Sequence, residues 1–342
     1  MLKEEIFYHK RAVQLMWNFI RHRMIHVNLQ VTWKCNFRCQ VCDFWKPEFL
    51  AQHGKHELSL EQVETIGKIL HRKFGSNIIS LSGGEPLMRK DLPEIITILN
   101  RTEHFPILIT NGYFVDEAMA KAIQGAGLQE ISVSLDYANP TKHDAQRGKE
   151  GAFDRAVNAL ELLNRYRPKA RNRVHMISIL MDDNLDDIEP LIKLAKSLGV
   201  TYMVNLYSCC RGTKAPHLPR ESVTRRLLDL KKRYPEFVTL TSYIEKFDDA
   251  IATGGVGNCL AGKLFCNIDS HGDVSGCIDT VGESHGNIFT KDFGDIQQEI
   301  QRGCFGCADC WTSCRGFVES MHKPPRLRQY KEFLNSVRPY EK

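Results

Sequence analysis

Short β-branched and apolar runs at about residues 26–32, 77–82, 106–110, 129–135, 174–181 and 201–206 alternate with longer stretches whose apolar positions recur at helical spacing. That alternation predicts six strands in parallel βα units. Helices fall near 59–74, 91–102, 115–126, 153–166 and 187–198, with a sixth near 219–233. In the first of them Ser59 is placed to cap, Gln62 is its capping-box partner, and Ile66, Ile69 and Leu70 share one face. Phe153, Val157, Leu160 and Leu163 make the buried stripe of the fourth. The first 25 residues lack a strand and read as a helix in which Lys10, Arg11, Arg21 and Arg23 mix with Met16, Trp17, Phe19 and Ile20. Such a helix either packs across the sheet or lies on an anionic membrane or against a lipid substrate.

Beyond about residue 245 the texture changes: Gly254, Gly255, Gly257, Gly262, Gly272 and Gly276 arrive among cysteines, and helical periodicity fades until the tail. The chain thus divides into a helical segment over 1–25, a βα body over 26–240 and a cysteine-rich region over 245–342. The last is too poor in large apolar residues to be held by burial alone, so bound metal would contribute to its folding.

With 342 residues the chain exceeds one typical domain, and a formal charge of +5 with no long basic run gives no reason to expect nucleic acid as a partner. The longest stretch free of charged residues, Ser197 to Cys210, is fourteen residues, short of the roughly 20 a membrane span needs. The N-terminus has no apolar signal region, so a cytoplasmic location is expected. That location makes the twelve cysteines candidate metal ligands rather than disulfides. They are grouped: Cys35, Cys39 and Cys42 together, Cys209 and Cys210 adjacent, and seven from Cys259 to Cys314.

Cys35-Asn-Phe-Arg-Cys39-Gln-Val-Cys42 directly follows the first predicted strand, where βα folds place their chemistry. Three thiolates on a short loop can ligate three irons of a [4Fe-4S] cube and leave the fourth open. A structural zinc site would want a fourth protein ligand, which only His53 or His56 could bring from nearby. With this spacing the chain resembles the radical S-adenosylmethionine superfamily, whose C-x3-C-x2-C motif follows the first strand of a partial (βα)6 barrel of the TIM type. The resemblance implies an α/β fold of that kind with a small cysteine-rich iron-sulfur domain behind it. It also implies a [4Fe-4S] cluster with exchangeable S-adenosylmethionine, reductive cleavage to a 5′-deoxyadenosyl radical, and removal of a substrate hydrogen from an unactivated carbon. Val41 stands where the family often has an aromatic residue, so adenine packing there is expected to differ.

Other strand ends match in order. Ser82, Gly83, Gly84 and Glu85, followed by Pro86, resemble the family's GGEP, in which glycine lets backbone approach the methionine amino group and Glu85 helps to hold the loop; alone, this is an ordinary strand-to-helix turn. Thr110 and Asn111 with Gly112 are a weaker match. Ser134-Leu-Asp136 resembles the ribose-contacting segment. His143-Asp144 with Arg147-Gly148 resembles HDxxRG, whose arginine pairs with the cofactor carboxylate, a task suited to a planar bidentate donor.

Cys259, Gly272 and Cys277 are similar to the opening of the SPASM and twitch auxiliary-cluster domains, and Cys304, Cys307, Cys310 and Cys314 to the later SPASM stretch with a shortened middle gap. The resemblance implies Cys259, Cys266, Cys277 and Cys314 as ligands of a first auxiliary cluster, with Cys304, Cys307 and Cys310 starting a second. The family's last cysteine is missing here, so one cluster or two stays open, and zinc is the competing occupant. Cys209 and Cys210 are either small packing residues or thiols that return a hydrogen atom to a substrate radical, as in radical epimerases. About 25 residues before the first strand are too few for a fused leader-binding domain, so a peptide substrate would need a separate recognition protein. The reading is therefore an enzyme acting on a small molecule, lipid or peptide by oxidation, cross-linking or epimerisation, served by a flavodoxin- or ferredoxin-type electron donor. The competing reading is a non-catalytic iron-sulfur or zinc protein.

Overall fold

The computed structural model describes residues 2–54, 56–169, 171–208, 217–280, 282–304, 306–322, 328–329 and 331–332. Six strands form where the pattern places them: β1 (His26–Thr32), β2 (Ile78–Gly83), β3 (Phe105–Thr110), β4 (Glu130–Ser134), β5 (Arg173–Leu180) and β6 (Thr201–Leu206). Each is hydrogen-bonded in parallel to the next in chain order. A parallel sheet laid down in strictly sequential order has every crossover on one side, which is the winding of a partial barrel and not of a doubly wound sheet.

Alternation along the strands then separates two environments. On the helix-covered side, Val27, Leu29 and Val31 of β1 and Ile79 and Leu81 of β2 join one apolar core. The opposite face carries polar residues: His26, Asn28 and Gln30 on β1, Ser80 and Ser82 on β2, Ser132 on β4, all buried. The barrel interior is therefore polar.

Helices cover the outside. They are α1 (Leu2–Ile20), α2 (Pro47–His53), α3 (Leu60–Phe74), α4 (Leu92–Arg101), α5 (Glu117–Gly125), α6 (Pro140–Arg147), α7 (Ala152–Arg165), α8 (Ile188–Ser197) and α9 (Thr224–Arg233). The capping box on α3 is complete, with Ser59 and Gln62 exchanging backbone-to-side-chain bonds of 2.9 and 3.1 Å. Ile66 and Leu70 are buried beneath it and Ile69 lies at the edge. In α7, Leu160 and Leu163 are buried, while Phe153 and Val157 pack at its margin.

Helix α1 packs across the barrel through a mixed face, with Phe19 in the core and Leu15 against it beside several polar anchors. Arg11 donates to the His104 carbonyl (2.6 Å), Gln14 accepts from Ser76 Oγ (2.8 Å), and Asn18 donates to the Phe74 carbonyl (2.7 Å). Ile6, Val13, Met16, Trp17 and Ile20 are left exposed. No described helix is long and apolar enough to cross a membrane.

The cysteine-rich region continues the same sheet. Strand β7 (Phe265–Ile268) pairs in parallel with the free edge of β1, and β8 (Val274–Ser275) closes antiparallel on β7. The short α10 (Thr241–Ile244) leads into this region, which also holds α11 (Phe247–Thr253), α12 (Phe293–Gly303) and α13 (Ser313–His322). The large apolar residues that this region does have are buried against the barrel. Phe265, Ile268, Phe293, Ile296, Ile300, Trp311 and Val318 all enter the main core. They are thinly spaced in sequence because each docks on the barrel, as Phe293 does edge-on against Phe74 of α3 (ring centroids 5.7 Å).

Candidate functional site

The C-terminal ends of the strands carry the loops matched by sequence, and backbone bonds gather them around three thiols. Cys35, Cys39 and Cys42 are free of disulfides; Cys39 is buried and the others half-buried. Two strand-end segments hold their loop. From one side, the Gly84 and Glu85 amides donate to the Thr32 and Lys34 carbonyls, both at 2.8 Å. A Cβ on Gly84 would strike the Trp33 and Lys34 carbonyl oxygens, so only glycine lets the two chains approach this closely. From the other side, the Arg38 and Gln40 amides donate to the carbonyls of Arg147 (3.3 Å) and Gln146 (2.9 Å). These carbonyls are ones the C-terminal turn of α6 leaves without helical partners, so the helix end serves as the seat of the cysteine loop. Gly148 ends that helix in the left-handed conformation (φ 61°), and its would-be Cβ lies 2.5 Å from the Arg38 carbonyl oxygen.

Glu85 is the tie between strands. Fully buried, it accepts from Thr110 Oγ1 (2.6 Å) and the amides of Leu87 (3.0 Å) and Asn111 (2.8 Å). Burial pushes its carboxyl up, and these three donors oppose the shift. Asn111 in turn donates to Asn36 Oδ1 (2.9 Å), inside the cysteine loop. Thr110, Asn111 and Glu85 therefore act on the cysteines through one chain of hydrogen bonds. Ser82 is buried with no hydrogen-bond partner for its hydroxyl among the described residues, and Ser134 stands half-buried at the end of β4.

Asp136 and Arg147 form a buried pair, Arg147 Nη2 lying 2.6 Å from Asp136 Oδ2. Asp136 Oδ1 accepts from the Ile179 amide (2.8 Å). Burial pushes the Asp136 carboxyl up against the pull of Arg147, whose guanidinium is held charged against its own burial by Asp136. The contact is close but poorly aligned. Arg147 Nε and Nη2 and Asp136 Oδ2 remain buried without an aligned hydrogen-bond partner among the described residues. His143 accepts from the Asp136 amide at Nδ1 (3.2 Å), and burial lowers its pKa to about 2, so it is a neutral acceptor. Asp144 takes the amides of Gly151 (2.7 Å) and Phe153 (2.9 Å) at the start of α7. Phe37, Val41, Tyr137, Met181 and Tyr207 form a small apolar cluster around Cys39. Burial pushes the Cys35 thiol up to about 12.

Sequence reasoning did not single out Asn36 or Arg89. Arg89, buried, donates to the Val31 (3.2 Å) and Leu58 (2.8 Å) carbonyls and grips Asp91 at 2.9 and 2.6 Å, steadying the end of β1. Nothing in the spacing of a lone arginine announces that role. Asn36 lies inside the C-x3-C gap, where its polarity was the available signal.

Of the C-terminal cysteines, Cys266 is fully buried on β7, and Cys259, Cys277, Cys304, Cys307, Cys310 and Cys314 are half-buried. Cys314 Sγ lies 3.8 Å from Asn28 Oδ1. Cys209 and Cys210 lie outside the described residues. Among the described residues, no three His, Cys, Asp or Glu side chains are drawn together as ligands of one metal ion.

The family described as the Radical SAM superfamily matches residues 29–195. An AdoMet-dependent heme synthase from Methanosarcina barkeri is 28% identical over 299 residues, covering 80% of this chain and 81% of that protein. An Fe-coproporphyrin III synthase from the same organism is 38% identical over 151 residues, 44% of this chain but only 37% of its own length. The structure of Streptococcus suis SuiB bound to its precursor peptide SuiA superposes with a TM-score of 0.63 at 16% identity, covering 84% of this chain and 68% of that one. That likeness establishes the shared fold.

Proposed function

Because the chain belongs to the radical S-adenosylmethionine superfamily and is an enzyme of that kind, we propose that Cys35, Cys39 and Cys42 hold its [4Fe-4S] cluster and that it removes a hydrogen atom from an unactivated substrate carbon. When bound, the cluster and S-adenosylmethionine supply one-electron cleavage of the sulfonium and the resulting 5′-deoxyadenosyl radical. The residues fit that pair. Three free thiols share one loop, and beside them Ser82 Oγ and Arg147 Nε are buried with no hydrogen-bond partner among the described residues, next to the Arg147–Asp136 ion pair. Arg147 would meet the cofactor carboxylate, Ser134 and Asp136 its ribose, and Gly83 and Gly84 its amino group. Thr110, Asn111 and Glu85 hold the loop that presents them. Phe37, Val41 and Tyr207 exclude water from the thiols.

The observation that carries this reading is the seating of the cysteine loop between the Gly84–Glu85 backbone and the last carbonyls of α6, which joins three distant motifs at one point. Substrate class stays at small molecule, lipid or peptide. The heme and Fe-coproporphyrin III synthases among the relatives bring tetrapyrroles into the small-molecule class to be assayed. Iron-sulfur clusters on the C-terminal cysteines and a flavodoxin- or ferredoxin-type donor belong to the same proposal. So does a membrane contact through the exposed stripe of α1. The inward face of that helix meets Ser76 and His104, at the barrel end opposite the cysteine loop, which places the stripe away from any lipid substrate at the mouth.

The test is anaerobic reconstitution with iron and sulfide, then assay of 5′-deoxyadenosine under dithionite. Replacing Cys35, Cys39 and Cys42 with Ala should abolish the product and leave C-terminal iron in place. Cleavage at the unmodified rate by that triple variant would overturn the assignment.

A further inference from the structure

The seven C-terminal cysteines are not interchangeable, because the sheet sorts them. Strand β7 runs beside β1 with Cys266 opposite Val27 and Asn267 opposite Asn28. Alternation turns Cys266, with Val27 and Ile268, toward the helix-covered side, where all three are fully buried in the main core. Asn28 and Asn267 face the barrel interior. Cys314 lies on that interior side, against Asn28. The hydrogen-bonded backbone of β1 and β7 therefore stands between Cys266 and Cys314, and one cluster cannot take thiolates from both faces of it.

A different thiol reaches the interior group. Residues 255–259 run alongside 307–310: the Val256 amide donates to the Cys310 carbonyl and the Cys259 amide to the Cys307 carbonyl, both at 3.2 Å. The two segments are close enough that a Cβ on Gly255 would strike the Cys310 amide nitrogen. Arg315 then clamps them, donating to the carbonyls of Cys310 (3.0 Å) and Gly257 (2.9 Å) and pairing with Glu319 (2.8 Å), which also accepts from the Leu260 amide (2.9 Å). Cys259 thus lies beside Cys307 and is held in the same Arg315 clamp as Cys310. Cys310 is four residues before Cys314, just ahead of α13, and the residues between them are pinned to the interior: the buried Tyr243 hydroxyl lies 3.1 Å from the Trp311 carbonyl and 2.8 Å from Asn205 Oδ1, which also accepts the Ser313 amide (2.7 Å). Cys304 belongs elsewhere: its Sγ is 2.5 Å from where a Gly276 Cβ would be, next to Cys277, and its carbonyl accepts the Cys307 amide (3.1 Å).

Resting on the reading that the C-terminal region binds an iron-sulfur cluster, we infer that Cys259, Cys310 and Cys314 form one thiolate set on the interior face and that Cys266 is a packing residue, not a ligand. Asn28 completes the site's surroundings. It is buried, its Oδ1 meets Cys314, and its Nδ2 has no hydrogen-bond partner among the described residues, leaving an N–H free for a sulfur.

The experiment uses the full chain carrying Ala at Cys35, Cys39 and Cys42, so that only C-terminal iron is counted after anaerobic reconstitution. Iron, sulfide and the electron paramagnetic resonance signal of the reduced protein are measured for Cys266→Val, Cys266→Ala, Cys310→Ala and Cys314→Ala in that background. Both Cys266 variants should keep the iron and the signal of their parent. Cys310→Ala and Cys314→Ala should lose the same signal and up to about four irons per chain. Two Cys266 variants are used so that a packing defect in one does not decide the result, and circular dichroism confirms folding. Loss of iron from folded Cys266 variants with retention in Cys310→Ala would overturn the inference while leaving a C-terminal cluster in place. Absence of C-terminal iron in the parent itself would remove that cluster and the inference with it.

Discussion

Replacing Arg147 separates its two roles, structural partner and cofactor ligand. In Arg147→Met the carboxylate of Asp136 should stay buried and keep the Ile179 amide (2.8 Å), but it loses the guanidinium that pairs with it. Removing one member of a buried ion pair costs about 3–5 kcal/mol, because the remaining charge is neither solvated nor neutralised. The penalty has a defined pH dependence. Burial pushes the Asp136 carboxyl up, so without Arg147 folding draws a proton onto it. The variant's deficit should be absent below the unfolded carboxyl pKa of about 3.9 and grow as pH rises through the folded value. Adding Asp136→Asn removes the stranded charge and should restore most of the urea midpoint at neutral pH. Affinity for S-adenosylmethionine, measured by anaerobic calorimetry on reconstituted protein, should behave differently. A charge-assisted bond of about 1.5–3 kcal/mol corresponds to a loss of about tenfold to a hundredfold, at unchanged iron content. That loss should persist in the double variant. If the double variant regains both stability and cofactor affinity, Arg147 serves only the fold and the proposed carboxylate contact is wrong.

His104 accepts from the Asn77 amide at Nδ1 (3.2 Å) and donates from Nε2 to the Gly67 carbonyl (2.9 Å), so its neutral form is fully satisfied, and burial lowers its pKa to about 4. Its contribution to stability is present above the unfolded pKa of about 6.5 and is lost as pH falls toward 4, at up to about 1.4 kcal/mol per pH unit. Urea midpoints should fall over that window, less steeply in His104→Gln; identical slopes in the two proteins would refute the assignment. For Cys209 and Cys210, a hydrogen-donor role requires a redox-neutral reaction, with solvent deuterium at one product carbon and loss of that label in Cys209→Ala or Cys210→Ala. Normal labelled turnover by both variants would make them packing residues and favour electron transfer to the C-terminal cysteines.

The strands were legible because each is a compact apolar run, and the chemistry was legible because it sits at their ends. Helix α6 was not. Its sequence, Pro140–Arg147, has almost no apolar residue, since His143, Gln146 and Arg147 are buried for the site and not for a core. Its signals were the Asn139 cap, Pro140 in the first turn and Gly148 beyond the end. Helix α1 packs across the barrel as read, but its inward face mixes Arg11, Gln14 and Asn18 with Leu15 and Phe19, while Val13, Met16 and Trp17 stay exposed. The grouping of the C-terminal cysteines could not be read from spacing at all. Cys266 acquires a side only when residues 265–268 take their register against β1, a long-range pairing that no local pattern announces.

That pairing makes β1 the common wall of both cysteine groups. Its last residue, Thr32, accepts the Gly84 amide that seats the Cys35 loop, while Asn28, four residues earlier and about 13 Å down the strand, touches Cys314. On its free edge the interior residues continue into β7 and β8, where Asn267 donates to Gln30 Oε1 (3.4 Å) and Ser275 Oγ (3.1 Å), and Ser275 donates to the Cys277 carbonyl (3.1 Å). Two sites joined through one fully buried strand cannot move independently, as they could across a flexible linker. Under the proposed reading, the span an electron must cross between the clusters is therefore fixed by strand geometry. Substrate binding would alter the transfer by changing what fills the polar interior between them, not by drawing the sites together.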